Sequence, residues 1–338
     1  MRYAPLRDAA IAGLGIGAAV ALGSRGLSDL DPALTGYLAA TLAAGVGIAY
    51  RTSAFWRRPP SAVYGRALAE AFRHPRQLAA ALRSAGRDLA AQRFIARRGR
   101  GRWLAHLALS GGTLASFAVT LPLVWGWLRF RAEDPATYRV HLAGVPVARL
   151  AVDGLGAWLA FHALVLCAVA VTFGATYFLV VRLRERALPG AADAVHVGPL
   201  VLLLAVALTG LTLPMASHLG TPALFHATAL VHEATVVLLL VALPTTKLAH
   251  LLVRPLQVGA RLLRAADAPV ERCAGCGVAF APARQAAAVR ALLPDPRGGE
   301  HDRSCPACRR RRVARAHTHV LGAEFQPRTR VAGDRRSR

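Results

Sequence analysis

Apolar positions along the chain fall into six long runs, separated by Arg-rich or mixed polar stretches. The runs cover roughly 8–23, 33–50, 103–128, 155–183, 197–216 and 222–253. A hydrocarbon layer about 30 Å thick is crossed by ~20 predominantly apolar helical residues, so each run is a candidate span. The first is short and Gly-rich. It lacks a small-residue cleavage pattern and is expected to remain as a helix. Trp103, Trp125, Trp127 and Trp158 sit near run ends, where amphipathic rings anchor at the membrane interface. The pattern predicts an all-α integral membrane helical bundle of about six transmembrane helices.

Charge orients the bundle. The 338 residues are 54% hydrophobic yet carry 42 Lys+Arg against 18 Asp+Glu, a formal net charge of +24. A nucleic-acid binder shows such charge, but not six apolar runs, so no nucleic-acid partner is expected. Residues 51–102 hold 13 Arg and two acids, and residues 254–338 hold 18 Arg and seven acids. Both segments therefore belong on the cytoplasmic side of an inner membrane, with both termini inside. The stretch 129–154 must then be an external loop, although it contains Arg129, Arg131, Arg139 and Arg149. Within 61–100, Val63, Leu68, Phe72, Leu78, Leu82 and Leu89 recur at helical spacing among the Arg. That spacing predicts one or two amphipathic helices lying on the inner surface.

The histidines sort by depth under this topology. His106 falls near the inner face, and His162, His226 and His232 near the outer face. His218 lies in an external turn and His250 returns to the inner face. His232 and His250 are eighteen residues apart, which is ~5 helical turns and about 27 Å along an axis. On one continuous helix they share a face, one near each side of the bilayer. Imidazole is an axial ligand of haem iron, and bundles build such sites from facing helices. Two histidines at two depths suit a dihaem b-type cytochrome.

The run HEATVVLLLVALPTTKLAH resembles the last helix of the respiratory nitrate reductase gamma subunit and of related heterodisulfide-reductase-like membrane cytochromes b. In that family a His is followed by a Pro, a basic residue and a second His eighteen positions later, here His232, Pro244, Lys247 and His250. The entry RWLAH, with His106, resembles the helix that supplies the opposing ligands. The resemblance covers roughly residues 100–260. It implies a four- to five-helix haem-binding core with haem b on His106/His250. A second haem on His232 departs from the pattern, because the family's partner position is Ser116 here; depth offers His162 instead, ahead of His218 and His226. Two haems or one remain open. Arg102 and Lys247 suit haem propionates. Glu233 is either a proton acceptor for quinol or a carboxylate reaching the interface. The implied role is electron transfer between the quinone pool and a cytoplasmic iron–sulfur partner, with a molybdopterin or disulfide-reductase catalytic subunit as a separate protein.

Near the C-terminus, Cys273/Cys276 and Cys305/Cys308 form two C-x-x-C pairs. Four thiolates in this arrangement predict a small zinc-ribbon-like domain, with rubredoxin-type iron or an iron–sulfur cluster as alternatives. The run Arg309–Arg312 offers contacts to an acidic partner or anionic lipid. The expected organisation is two N-terminal helices (1–52), a basic amphipathic cytoplasmic segment (53–102), the haem-binding bundle (103–258), the metal-binding domain (268–322) and a disordered basic tail (323–338). Two other functions remain open: a membrane-anchored zinc-ribbon adaptor, and a proton-coupled transporter, which should show an inverted repeat that is not evident.

Overall fold

The computed structural model describes residues 3–58, 61–185, 194–246, 262, 269–292 and 303–320. In chain order the helices are α1 (Ala4–Gly23), α2 (Thr35–Arg57), α3 (Ser61–Ala71), α4 (Pro75–Ala91), α5 (Arg93–Ala96) and α6 (Arg100–Val124). Strands β1 (Leu128–Asp134), β2 (Thr137–Leu142) and β3 (Val145–Ala151) follow, then α7 (Leu155–Glu185), α8 (Ala194–His218) and α9 (Pro222–Ala242). The C-terminal elements are β4 (Val270–Arg272), β5 (Ala279–Pro282), α10 (Ala283–Leu292) and α11 (Pro306–Val320). Two compact units result: Met1–Phe55 with Leu82–Gln257, and Trp56–Ala81 with Val258–Arg338.

Six helices among the described residues are long and apolar enough to cross a membrane, and they match the six apolar runs. Their polar residues turn inward on their own backbone. Thr113 donates to the Leu109 carbonyl at 2.7 Å, Ser116 to Gly112 at 2.9 Å, and Thr228 to Leu224 at 3.0 Å. In an apolar medium a hydroxyl without such a partner is costly, so the helix satisfies it locally.

Helices α6 to α9 pack in sequence order. Val171, Leu203, Ala207 and Leu239 form one buried cluster among α7, α8 and α9, with Leu109 of α6 against it. Helix α2 joins through Ala40 and Ala44, which pack with Leu240, Phe117 and Val236. The closest crossing is α6 on α7. Ala105 and Ala175 are buried there, and a Cβ at Gly174 would lie 2.5 Å from the Ala105 carbonyl oxygen. Close approach through small residues is how helices associate where lipid tails supply no hydrophobic drive. The outer row of α7, including Phe161, Val169 and Phe173, is exposed, as a lipid-facing row should be.

The stretch 129–154 is not an irregular loop, which corrects the all-α expectation. It forms an antiparallel meander in the order β1-β2-β3, with Phe130 opposite Val140 and Val140 opposite Ala148. Ala143 and Gly144 both take positive φ (50° and 82°), as a tight hairpin turn requires. Phe130 and Tyr138 rest on Phe161, with ring centroids 5.3 and 5.1 Å apart. The four Arg of this stretch are all paired. Arg129 and Arg131 contact Asp29, buried between α1 and α2, at 2.5 and 3.5 Å. Arg139 and Arg149 both grip Glu133, and their hydrogen bonds hold its carboxyl below the usual carboxylate range.

Helix α9 runs to Ala242, and the rest of the predicted sixth span, 247–253, lies outside the described residues. Pro244 has no N–H to give the ladder, and around it Leu243 and Thr246 donate to the carbonyls four residues earlier, Leu239 and Ala242, each at 2.9 Å. The Pro244 carbonyl accepts from Arg51 of α2. In the second unit, Arg284 of α10 pairs with Glu70 of α3 at 3.4 Å. The expected amphipathic segment 61–100 is helical, as α3, α4 and α5.

If the α6–α7 crossing depends on its small residues, Gly174→Leu should destabilise the detergent-solubilised protein by about 1–3 kcal/mol, the usual cost of overpacking. Gly15→Leu, at a site with nothing within 4 Å, should cost much less. Thermal unfolding of the two variants checks this.

Candidate functional sites

His106 lies in the second turn of α6, half-buried. Its Nδ1 lies 2.8 Å from the Oε1 of Gln92, and its ring meets Phe178 of α7 edge-on, with centroids 6.0 Å apart. Gln92 sits in the break between α4 and α5. It is buried and holds a left-handed backbone (φ 47°) that side chains rarely adopt. Its amide also donates to Ser110 Oγ at 2.6 Å, and Ser110 donates to the His106 carbonyl at 2.7 Å. A carboxamide oxygen accepts, so His106 Nδ1 carries the proton and Nε2 carries the lone pair. Fixing one ring nitrogen to orient the other is how ligating histidines are held. Gln92 carries no sequence signal; only its strained backbone in the structure marks it. Arg102 is half-buried one turn before His106.

His232 sits on α9 and lines a cavity of about 310 Å³ enclosed by α2, α6, α7, α8 and α9. Its Nδ1 lies 3.0 Å from Thr209 Oγ1. Gly210 of α8 makes room for the ring: a Cβ there would lie 3.1 Å from His232 Cε1. Ser116 lines the same cavity, as do Tyr37, Thr41, Thr113 and Thr120. Glu233 is turned away from it. Its carboxylate packs on Gly36 of α2, where a Cβ would clash.

The structure does not bring His162 to His232. His162 is exposed on α7, with Nδ1 2.8 Å from the Trp158 carbonyl and its ring stacked on Trp158 at 4.6 Å. The cavity is lined from a different face of α7, by Leu164, Val165, Ala168 and Val171. Depth along a helix was the only ground for the pairing, and rotation about the axis overrides it. His218 and His226 are exposed and also absent from the lining. Lys247 and His250 lie outside the described residues.

The four cysteines do converge. Their Sγ atoms lie within 4.8 Å of one another, and Cys276 and Cys305 are 3.7 Å apart. Thiolates on a tetrahedral metal with bonds of ~2.3 Å stand about 3.8 Å apart, so the group could hold a metal ion. The β4–β5 turn positions the first pair: Cys273 N–H bonds the Val278 carbonyl at 3.0 Å, and Gly277 takes φ 71°. The second pair opens α11, where the Cys305 N–H points at Cys273 Sγ from 3.1 Å. That N–H and others around the turn lower the Cys273 thiol from the usual 9.0 to about 6. Neighbouring sulfurs instead push Cys308 up to about 12.

The chain matches no protein-family model, and no curated protein or solved structure is similar to it.

The lowered Cys273 pKa has a pH consequence. A folded thiol near 6 against an unfolded value near 9 favours the fold most above about pH 9. That contribution is lost as pH falls through about 6. The metal-free form should therefore lose stability on acidification across this window, and Cys273→Ser should flatten the dependence. Metal analysis of the purified chain should find one ion per chain, lost in Cys273→Ser/Cys305→Ser.

Proposed function

We propose that the chain is a membrane-embedded b-type cytochrome subunit that passes electrons between the quinone pool and a cytoplasmic redox partner. In this reading His106 and His250 hold one haem b, with Arg102 and Lys247 near its propionates. When bound, the haem supplies a one-electron carrier within the membrane. The observation that carries the reading is the ring of His106: half-buried, with Nδ1 held 2.8 Å from the Gln92 amide oxygen. An interfacial histidine that only meets water needs no such support. Proline, lysine and histidine in the order of Pro244, Lys247 and His250 support it from the sequence.

The four-cysteine unit takes structural zinc in this proposal. Two knuckles, one on a hairpin and one at a helix start, suit a closed tetrahedral site. The unit is the docking module for a cytoplasmic iron–sulfur protein. In this reading the unit and both termini lie on the cytoplasmic side of the inner membrane, a side that the Arg-rich segments favour.

The purified protein should show a b-type band in its reduced-minus-oxidised spectrum. Both His106→Ala and His250→Ala should lose it. Absence of the band in the unaltered protein rejects the cytochrome and leaves the four-cysteine module on a membrane anchor, the reading its converging thiolates would then favour.

A further inference from the structure

The second unit is electrostatically one-sided among its described residues. Residues 269–292 and 303–320 contain nine Arg and one acid, Glu271, which pairs with Arg290 at 2.7 Å. Arg284 is already engaged by Glu70 of α3. The excess is concentrated on α11, which holds five Arg and two His with no acid. Arg310, Arg311 and Arg315 are exposed there.

The charge sits where a helix tolerates it least. Arg309–Arg312 fall in the first two turns of α11, at the end whose dipole favours anions. Arg311 and Arg315 are four residues apart, a like-charged pair on one face that weakens a helix. A divalent ion on four thiolates would leave two negative charges near the helix start, well short of the Arg present. Apolar burial does little to hold α11 either, since Val313 is 45% exposed. An anionic surface laid along the helix turns each of these penalties into an attraction.

The anchorage of the chain brings one such surface close. Helix α2, long and apolar enough to span, ends at Arg57, and α3 begins at Ser61 as part of the second unit. The other connection leaves from the same end of the bundle, because Arg51 of α2 donates to the Pro244 carbonyl just beyond α9. Both connections into the second unit therefore start at one face of the bilayer. A nucleic acid or an acidic protein must be recruited from solution, whereas a tethered helix meets the bilayer at a high effective concentration.

We infer that α11 lies on the headgroups of anionic phospholipid, with Arg310, Arg311 and Arg315 on lipid phosphates. Clusters of four to eight basic residues beside a span bind anionic membrane in this way. The contact holds the four-cysteine unit against the bilayer, because α11 starts at the second cysteine pair. This goes beyond the electron-transfer reading and does not depend on a haem.

The test is hydrogen–deuterium exchange of the full chain in nanodiscs of zwitterionic phosphatidylcholine and in nanodiscs of phosphatidylglycerol. The amides of α11 should exchange at least about tenfold more slowly in the anionic discs. Salt at 1 M, where the screening length falls to ~3 Å, should restore the faster exchange. Arg310→Gln/Arg311→Gln/Arg315→Gln should exchange alike in both discs, whereas Arg76→Gln/Arg83→Gln/Arg87→Gln on α4 should keep the difference. The disc and salt comparisons use the unaltered chain, so they decide the matter even if the α11 variant melts that helix. Equal exchange in the two discs overturns the inference. So does protection of α11 by a short single-stranded RNA in phosphatidylcholine discs with none from phosphatidylglycerol, which would assign the helix to nucleic acid.

Discussion

The close crossing of α6 and α7 is the contact on which the rest of the membrane unit depends. Between helices in lipid there is no hydrophobic effect to drive association, so van der Waals contact over small residues must suffice. Gly112 and Gly174 let the backbones approach, and the buried Ala105 and Ala175 continue the contact. His106 follows Ala105 directly, and Ser116 lies one turn beyond Gly112. The crossing therefore fixes both the ring that Gln92 orients and the α6 wall of the cavity. A wider separation would loosen both at once.

Several hydroxyls inside the bundle return to carbonyls one turn earlier on their own helix, while Thr172 Oγ1 is buried without a partner. Glu233 places a carboxylate midway along α9, against Gly36 of α2. Asp29 is buried, yet it meets three guanidiniums, from Arg25, Arg129 and Arg131. The sheet and the α1–α2 turn are thereby joined at one end of the bundle. The four Arg of 129–154 are thus paired with Asp29 and Glu133.

The four-cysteine unit is organised on different terms. A two-stranded hairpin and the start of one helix bury little apolar surface, so a bound metal is the natural source of its stability. Backbone N–H groups aimed at Cys273 and Cys305 favour thiolates there before any ion arrives. Helix α11, which begins at the second knuckle, carries Arg310, Arg311 and Arg315 exposed. Its basic face is thus tied to the same turn that would close the metal site.

The sequence by itself determined the number and positions of the six apolar helices and the pairing of the two C-x-x-C motifs. Apolar run length and thiolate spacing are local properties, set before any helix meets another. It determined less about 129–154, where period-two alternation in RFRAED and TYRVHL is masked by charge and by the Pro between them; the strand pairing and the contact of Arg129 with Asp29, a hundred residues earlier, are tertiary. Only the tertiary structure decided the site. Depth in a span can be counted along the chain, but the face a side chain presents depends on how each helix is rotated against its neighbours. That rotation turned His162 outward onto Trp158, placed Ser116 and His232 on one cavity, and drew Gln92 to His106, because packing of small residues sets helix azimuth and no one-dimensional pattern records it.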